Sequence, residues 1–329
     1  MDTTTVAIKS QNINLIYRNP DVRTVEDEME KTFYKMNLIS ECNYGTLQKI
    51  GWMRASRTDK KVSAIMNVIS CKLHKHPEMD EDAMKTVANE LLPSDIKIFR
   101  IIEVSKSFDS KDMNNNREYH YILPSFMLEP KILSPDLVRT GIDKFTGNYN
   151  YRITPEYHEK IKTVLKFFKG SKKYHNYTKK LNFHDPSSVR HIYEFSCDEL
   201  IDFESFQAIK FKIVGQSFLY NQIRKMIGSV IEVCRDSRDS TFLENSILAN
   251  RIDIPKSPAE GLYLFRIDYS KYNDRKLTKK NSVFLTESDE KEMDDFRLGL
   301  IKHIVQMEVQ EKSFSKWLWK FDNMKENTY

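Results

Sequence analysis

The chain has 329 residues, 40% of them hydrophobic, so it can bury a core as two similar halves or as one large domain with an extension. Its net charge is only +5, which neither requires nor excludes a nucleic-acid partner. No apolar stretch reaches the about 18 residues of a membrane span, and the N-terminus lacks the hydrophobic segment of a signal peptide. We therefore expect an intracellular protein with no membrane partner.

The cysteines and histidines predict no structural metal. No pair of cysteines has the sequence spacing of metal ligands, which favours reduced thiols over disulfides or zinc at Cys42, Cys71, Cys197 and Cys234. His74 and His76 alternate beside a proline, but no third ligand is near them in sequence, and a solvated loop is the better interpretation.

The first clear helix follows Thr24, a good N-cap residue. Val25, Met29 and Phe33 recur at helical spacing, and the acidic residues after the cap suit the positive end of the helix dipole. A second helix should begin at Asp80, with an apolar face that consists of Met84, Val87, Ala88 and Leu91.

The predicted strands begin with VSAIMNVISCKL at 62–73, which is apolar on both faces and therefore suits a strand covered on each side. The segment KIFRIIEV at 97–104 should form the next strand. Further strand patterns lie at 117–123, 189–197, 206–214 and 262–269. In 206–214 the apolar residues alternate with Lys210 and Lys212, which predicts a half-buried antiparallel strand.

The segment RASRTDKKVSA at 54–64 comes directly before the first buried strand and holds our candidate catalytic residue, Asp59. Considered alone, Arg57-Thr58-Asp59-Lys60 is more often a polar turn, because Asp and Thr side chains bond to nearby backbone. The rest of the sequence must decide between these interpretations.

Two tyrosines, Tyr119 and Tyr121, alternate along strand 117–123 and so share one face. They suit either base stacking or the core, and the core is the more frequent case. A helix should then begin at Thr154 and end before Gly170.

A basic tract, residues 160–180, overlaps that helix and has eight lysines, no acid and several aromatic residues. This composition suits phosphate binding with occasional base stacking by Phe167, Phe168, Tyr174 and Tyr177. A solvated helix face explains the lysines equally well.

A later helix, in GQSFLYNQIRKMIGSVIEVCR at 215–235, carries Arg224 at the margin of its apolar stripe, where the cation must reach water or be paired. From about residue 283 the pattern is again helical and charged, with the stripe Met293, Phe296, Leu300 and Ile304.

Three segments resemble the TruA family of tRNA pseudouridine synthases, in the family's order. SRTDKKVSA is similar to its catalytic loop, REYHYILP to its tyrosine strand and GQSFLYNQIRKMIG to its arginine helix. Shorter blocks, YHNYTKK, FHDPSSVRHIYE, PAEGLYL and SKYNDR, also resemble the family, the first two its eukaryotic multisite branch.

The resemblance implies that Asp59 is the essential aspartate and that Arg224 pairs with it. It also implies that Tyr119 stacks on the uracil and that Arg57 enters the RNA to hold the target nucleotide out. The implied reaction detaches uracil from C1′ of the ribose, rotates it and rejoins it through C5, with no cofactor. Asp59, Tyr119 and Arg224 are thus the predicted catalytic residues.

The implied partner is tRNA, with other structured RNA as a further candidate. We expect recognition mostly by shape, through phosphates, since A-form grooves hide base identity. The predicted RNA-binding residues are Arg57, Lys60, Lys172, Lys173, Lys179, Lys210, Lys212 and Lys225. The resemblance further implies a monomer or homodimer and a nuclear location, with the cytoplasm or mitochondrion as alternatives.

The predicted fold class is α+β: two similar α/β halves with antiparallel-rich sheets flanked by helices around a central basic RNA-binding cleft, plus a C-terminal helical extension. The predicted boundaries are 1–112 for the half with the aspartate, 113–272 for the half with the tyrosine and arginine, and 273–329 for the extension.

Two departures from the family matter. Lys61 stands where the family's loop usually has glycine, and the segment between the first strand and first helix is short. Two other functions remain open on the sequence: an RNA-binding or tRNA-folding protein of this fold without catalysis, and an aspartate-dependent hydrolase. The latter lacks a second placed carboxylate or a metal cluster.

Overall fold

The computed structural model describes residues 2–10, 23–131, 141–239, 241–275 and 282–326, so the short segment after the first strand, 11–22, lies outside the described residues. The fold is mixed α/β and agrees with the predicted α+β class. The strands are β1 Asp2–Ser10, β2 Met53–Arg54, β3 Ser63–Leu73, β4 Ile96–Glu103, β5 Asn116–Pro124, β6 Gly170–Lys173, β7 Val189–Asp202, β8 Gln207–Gly215 and β9 Leu262–Asp268. The helices are α1 Val25–Lys35, α2 Glu81–Leu91, α3 Pro155–Lys166, α4 Gln222–Cys234, α5 Thr241–Ser246, α6 Ser270–Asp274, α7 Glu287–Glu311 and α8 Ser313–Glu326.

The chain divides into two compact units, each made of two segments. The first unit comprises residues 1–118 and 263–300, and the second comprises 119–262 and 301–329. This division differs from the predicted boundaries, because the chain passes from one unit to the other within β5, β9 and α7. The proposed extension at 273–329 is therefore shared between both units.

The strands of the first unit lie in the order β4-β1-β3-β9, and β2 pairs with β3. β1 is antiparallel to both β3 and β4, whereas β9 runs parallel to β3 through Ser63 and Ala64. The central place of β3 explains its apolar residues on both faces, and almost all of its side chains are buried, as predicted.

In the second unit the strands lie in the order β5-β8-β7-β6. β7 is antiparallel to β8 and to β6. Along β8 Ile209, Phe211 and Ile213 are fully buried while Lys210 and Lys212 remain half-exposed, so the predicted alternation is confirmed.

Helix starts follow their capping residues. The side chain of Thr24 accepts a hydrogen bond from the Asp27 amide, and that of Thr154 accepts one from the Tyr157 amide. The predicted apolar face of α2 is only partly buried, since Ala88 is buried but Leu91 is 41% exposed. Across the described residues, no helix combines the length and apolar character of a membrane span.

Candidate active site

The aspartate loop, residues 55–62, connects β2 to β3. Its exposed residues include Arg57 and Lys60, whereas Thr58 is buried and Asp59 is half-buried. The loop therefore presents a guanidinium to solvent and keeps a carboxylate partly sheltered. Both features suit the roles that the sequence predicts for Arg57 and Asp59.

A tight turn follows the aspartate. The carbonyl oxygen of Asp59 accepts a hydrogen bond from the Val62 amide at 2.9 Å. Lys61 has a φ of +67°, in the left-handed region that favours glycine. The position where the family usually has glycine is thus one that needs left-handed backbone, and a lysine there costs roughly 1 kcal/mol.

The strand before the loop is tied to α1 by a buried carboxylate. Glu26, in the first turn of α1, is fully buried and accepts a hydrogen bond from Trp52 Nε1 at 2.8 Å. It also forms an ion pair with Arg54, the last residue of β2. A buried carboxylate is retained only when donors compensate its lost hydration, and here both donors lie directly before the loop.

Side chains also hold the loop's first residues. The amide of Asn67 bonds both backbone groups of Ser56, and the guanidinium of Arg117 bonds the carbonyl of Ala55. Sequence patterns did not identify either residue, because hydrogen bonds between distant segments leave no periodic signal.

Tyr119 and Tyr121 lie on β5 in the second unit, and their surroundings differ. Tyr121 is fully buried, and its hydroxyl donates to the Pro258 carbonyl at 2.8 Å, so it belongs to the core. Tyr119 is 6% exposed and meets Phe218 edge to face, with ring centroids 5.3 Å apart. Gly215 leaves the room for Phe218, since a Cβ there would lie 2.7 Å from its ring.

Arg224 projects from α4 toward the segment that precedes β9. Its Nε donates to the carbonyl of Ser257 at 2.8 Å, and its own carbonyl accepts from the Ser257 amide at 3.1 Å. This close approach depends on Gly228, because a Cβ there would lie 2.0 Å from the Pro255 carbonyl oxygen. Burial raises the pKa of Tyr121, and the positive charge of Arg224 partly opposes that rise.

The aromatic residues of the basic tract are mostly structural. Phe168, Tyr174 and Tyr177 are fully buried, so base stacking by these three is wrong: α3 and the turn after β6 pack them into the core. Lys173 instead places its ammonium 3.6 Å from the centre of the Phe183 ring. Lys172 lies 5.4 Å from the centre of the Phe167 ring, and burial lowers its pKa.

Three other cations act electrostatically on Lys225, and together the four form what we call the cation cluster: Lys179, Lys225, Arg251 and Lys256. The Nζ of Lys225 donates to the Asn176 carbonyl at 3.0 Å. Burial, followed by repulsion from the other three cations, lowers the pKa of Lys225, while Asp253 opposes this. Arg251 and Lys256 were missed from the sequence because they lie far along the chain from the basic tract.

Lys210 and Lys212, by contrast, lie opposite carboxylates of β7. Lys210 pairs with Glu199, its direct partner in the β7–β8 register, and Lys212 pairs with Glu194 at 3.0 Å. Among the predicted RNA-binding lysines, Lys225 thus lies near three cations and Asp253, whereas Lys210 and Lys212 are each paired with a glutamate.

The described residues contain no group of three or more His, Cys, Asp or Glu side chains arranged to hold a metal ion. Within each unit, the predicted residues are held by the local structure. Arg57, Asp59 and Lys60 share the aspartate loop of the first unit, whereas Tyr119 lies on β5 and Arg224 and Lys225 lie on α4 in the second.

Comparisons with known proteins agree with the motifs. The family described as tRNA pseudouridine synthase matches residues 164–270. "Pseudouridylate synthase 1 homolog" of Homo sapiens is 32% identical over 253 residues, which cover 77% of this chain and 56% of that protein. "tRNA pseudouridine synthase 1" of Eremothecium gossypii is 30% identical over 365 residues, covering 90% of this chain and 68% of that protein. The chain thus spans little more than half the length of its human relative.

Proposed function

Because this chain belongs to the TruA family of tRNA pseudouridine synthases, we propose that it isomerises uridines in tRNA to pseudouridine. The N1–C1′ bond breaks, the uracil rotates, and a C5–C1′ bond forms; the proton at C5 is lost to solvent and N1 gains one. The observation that carries the proposal is Asp59, a sheltered carboxylate on a loop whose entry and exit are both hydrogen-bonded.

The proposed chemistry needs Asp59 as an ionised carboxylate in a water-poor site. A neighbouring guanidinium stabilises the ionised form and orients its oxygens, which is the role we propose for Arg224. The detached uracil needs a flat partner that keeps its plane fixed while it turns. Tyr119, on a strand and packed against Phe218, is suited to that role because its ring is already held in place.

A uridine stacked in folded RNA is out of reach until it is turned out of the helix, at a cost of a few kcal/mol. We propose that Arg57 fills the space this leaves, since its side chain is exposed two residues before Asp59. The role we propose for Lys60, which is also exposed, is contact with the adjacent phosphate.

Phosphate contacts of the proposed complex come first from the cation cluster, and then from Lys172 and Lys173. The predicted central basic cleft, two similar α/β halves and a nuclear location belong to the same proposal. Other structured RNA, and a monomeric or homodimeric state, are also proposals that rest on the family.

The experiment measures tritium release from tRNA labelled at C5 of uridine, with the wild-type chain and with Asp59→Asn. The wild type should release the label with multiple turnovers, and Asp59→Asn should lose at least about 1000-fold in rate while binding tRNA as before. Equal release by both proteins would contradict the assignment of Asp59.

The two alternative functions give other products in the same reaction. A protein that only binds or folds tRNA would release no label with the wild type, although it would bind tRNA. A hydrolase would liberate free uracil and leave an abasic ribose instead of pseudouridine, which chromatography of the digested nucleosides detects.

A further inference from the structure

The backbone before Asp59 is held by a buried amide. Asn67 lies in the middle of β3 and is 2% exposed. Its Nδ2 donates to the Ser56 carbonyl at 2.9 Å, and its Oδ1 accepts from the Ser56 amide at 3.3 Å and from the Val68 amide at 2.9 Å. The side chain thus supplies both partners that a neighbouring strand would give Ser56, at the point where β2 has ended.

Arg117 holds the preceding residue. Its Nε and Nη2 both donate to the Ala55 carbonyl, at 3.1 Å and 2.8 Å. Hydrogen bonds from a charged donor are stronger than neutral ones, and the planar guanidinium fixes their direction as well. The Ala55 amide is also bonded, to the Val68 carbonyl at 2.8 Å.

These bonds leave little freedom at Asp59. The backbone is fixed at Ala55 and Ser56, Thr58 is buried, and the hydrogen bond from Val62 to Asp59 closes the far side. Between the fixed Ser56 and the buried Thr58, Arg57, the residue proposed to enter the RNA, is exposed.

We propose that Asn67 and Arg117 are positioning residues that fix the aspartate loop so that the Asp59 carboxylate meets the target nucleoside in reactive geometry. This inference rests on the proposed function. Neither side chain needs to touch the RNA for this role, because a shift of about 1 Å in a reacting group can cost about 100-fold in rate.

The test compares Asn67→Leu with a matched control. Asn89, in α2, holds the backbone of Ile98 through the same pair of bonds, at 2.8 Å and 2.7 Å, but lies on another element of the first unit. Both Leu variants lose the hydrogen bonds of the side-chain amide to the backbone, so each should have a lower Tm than the wild type. We expect Asn67→Leu alone to reduce kcat for tritium release, by about 10- to 100-fold, with KM for tRNA changed less than about threefold.

Arg117→Lys gives a second variant in case Asn67→Leu does not fold. Lysine keeps the positive charge but cannot donate two hydrogen bonds in a fixed plane to the Ala55 carbonyl, so we expect a kcat roughly 5- to 20-fold lower at unchanged KM. The inference is overturned if either variant, folded, retains wild-type kcat, or if Asn89→Leu loses kcat as severely as Asn67→Leu.

The Lys61→Gly variant changes the same loop but keeps the hydrogen bonds from Asn67 and Arg117. Glycine relieves the left-handed strain at this position, so activity should be kept or increased and Tm should rise by roughly 2 °C. A large loss of activity would show that the loop is set by this turn and not by the two clamping residues.

Hydrogen exchange separates failure of this inference from failure of the proposed function. The Ser56 amide should exchange much faster in Asn67→Leu than in the wild type, and at the wild-type rate in Asn89→Leu. If the wild type released no tritium, the proposed function would fail, and the exchange rates would still decide whether Asn67 fixes the loop.

Discussion

The cation cluster and the two lysines of β8 carry the same charge in opposite surroundings. Lys225 is half-buried near three other cations, and its pKa is lowered. Lys210 and Lys212 each lie across from a glutamate of β7. Sequence composition treats these lysines alike, whereas in the structure Lys225 is repelled by Lys179, Arg251 and Lys256 and attracted by Asp253, and the β8 lysines are paired with glutamates.

The difference matters for a polyanion. A phosphate bound in the cluster is attracted by the cations and also offsets the repulsion among them, so both effects favour binding. At β8 a phosphate must first displace a glutamate carboxylate, and the loss of that ion pair largely cancels the free energy gained from the phosphate contact. We therefore expect the cluster to dominate tRNA affinity among the predicted lysines.

The largest predicted effect on tRNA binding follows from removing three charges of the cluster. Lys179→Ala, Lys225→Ala and Arg251→Ala combined should weaken tRNA binding by about 10- to 100-fold at moderate salt. The slope of log K against log salt should also become shallower by roughly 2, since each lost phosphate contact removes about 0.7 to 0.9. Filter binding at several salt concentrations measures both quantities.

The stability of this triple variant is its control. Replacing mutually repelling cations should leave Tm unchanged or raise it. A lowered Tm would indicate that lost bonds to backbone carbonyls matter, two from Arg251 to His175 and Leu181 and one from Lys225 to Asn176. Lys179→Ala with Lys225→Ala should then be tested with Arg251 kept.

A rise in pH should weaken tRNA binding by about threefold to fivefold, a smaller effect than that of the triple variant. The pKa of Lys225 is lowered in the free protein, and a bound phosphate favours the charged form, so its pKa is higher in the complex. Affinity is therefore greatest below the free-protein pKa and falls as pH rises through it, toward the ordinary lysine value of about 10.4. At pH values below the ordinary lysine pKa, Lys225→Arg should flatten this decline, because arginine stays charged; equal declines would exclude Lys225 as the titrating group.

Freeing the β8 lysines should strengthen binding by about twofold at low salt. Glu194→Gln combined with Glu199→Gln removes the carboxylates that compete with phosphate, and exposed charges act only over about a Debye length. The gain should therefore vanish near 0.5 M salt. No gain at low salt would place Lys210 and Lys212 outside the reach of the RNA.

The sequence predicted local features correctly, because their determinants lie within one segment. The caps at Thr24 and Thr154, the alternation along β8 and the buried β3 all follow from neighbouring residues. At Lys61 the sequence marked a departure from the family's usual glycine, and the structure shows that this position has left-handed backbone.

Features that join distant segments could not be predicted in this way. The glutamates opposite Lys210 and Lys212 depend on the β7–β8 register, and that register shifts twice along the pair. Arg251 approaches Lys225 only after folding, and Asn67 reaches Ser56 across a bend that no periodicity marks. The same limit explains the error at Tyr174 and Tyr177, whose burial depends on elements outside the basic tract.

The smallest predicted effect is that of Lys210→Ala combined with Lys212→Ala, less than about twofold in tRNA affinity with an unchanged salt slope. Each ammonium already has a carboxylate partner, so its removal costs the complex little, and the freed glutamates add only weak, screened repulsion. Filter binding beside the cluster variant gives the comparison at equal salt. This double variant could instead weaken tRNA binding as much as loss of the cluster does. Ion pairing in the free protein would then not determine which lysines bind RNA. The β8 lysines would have to exchange glutamate for phosphate at almost no cost in free energy.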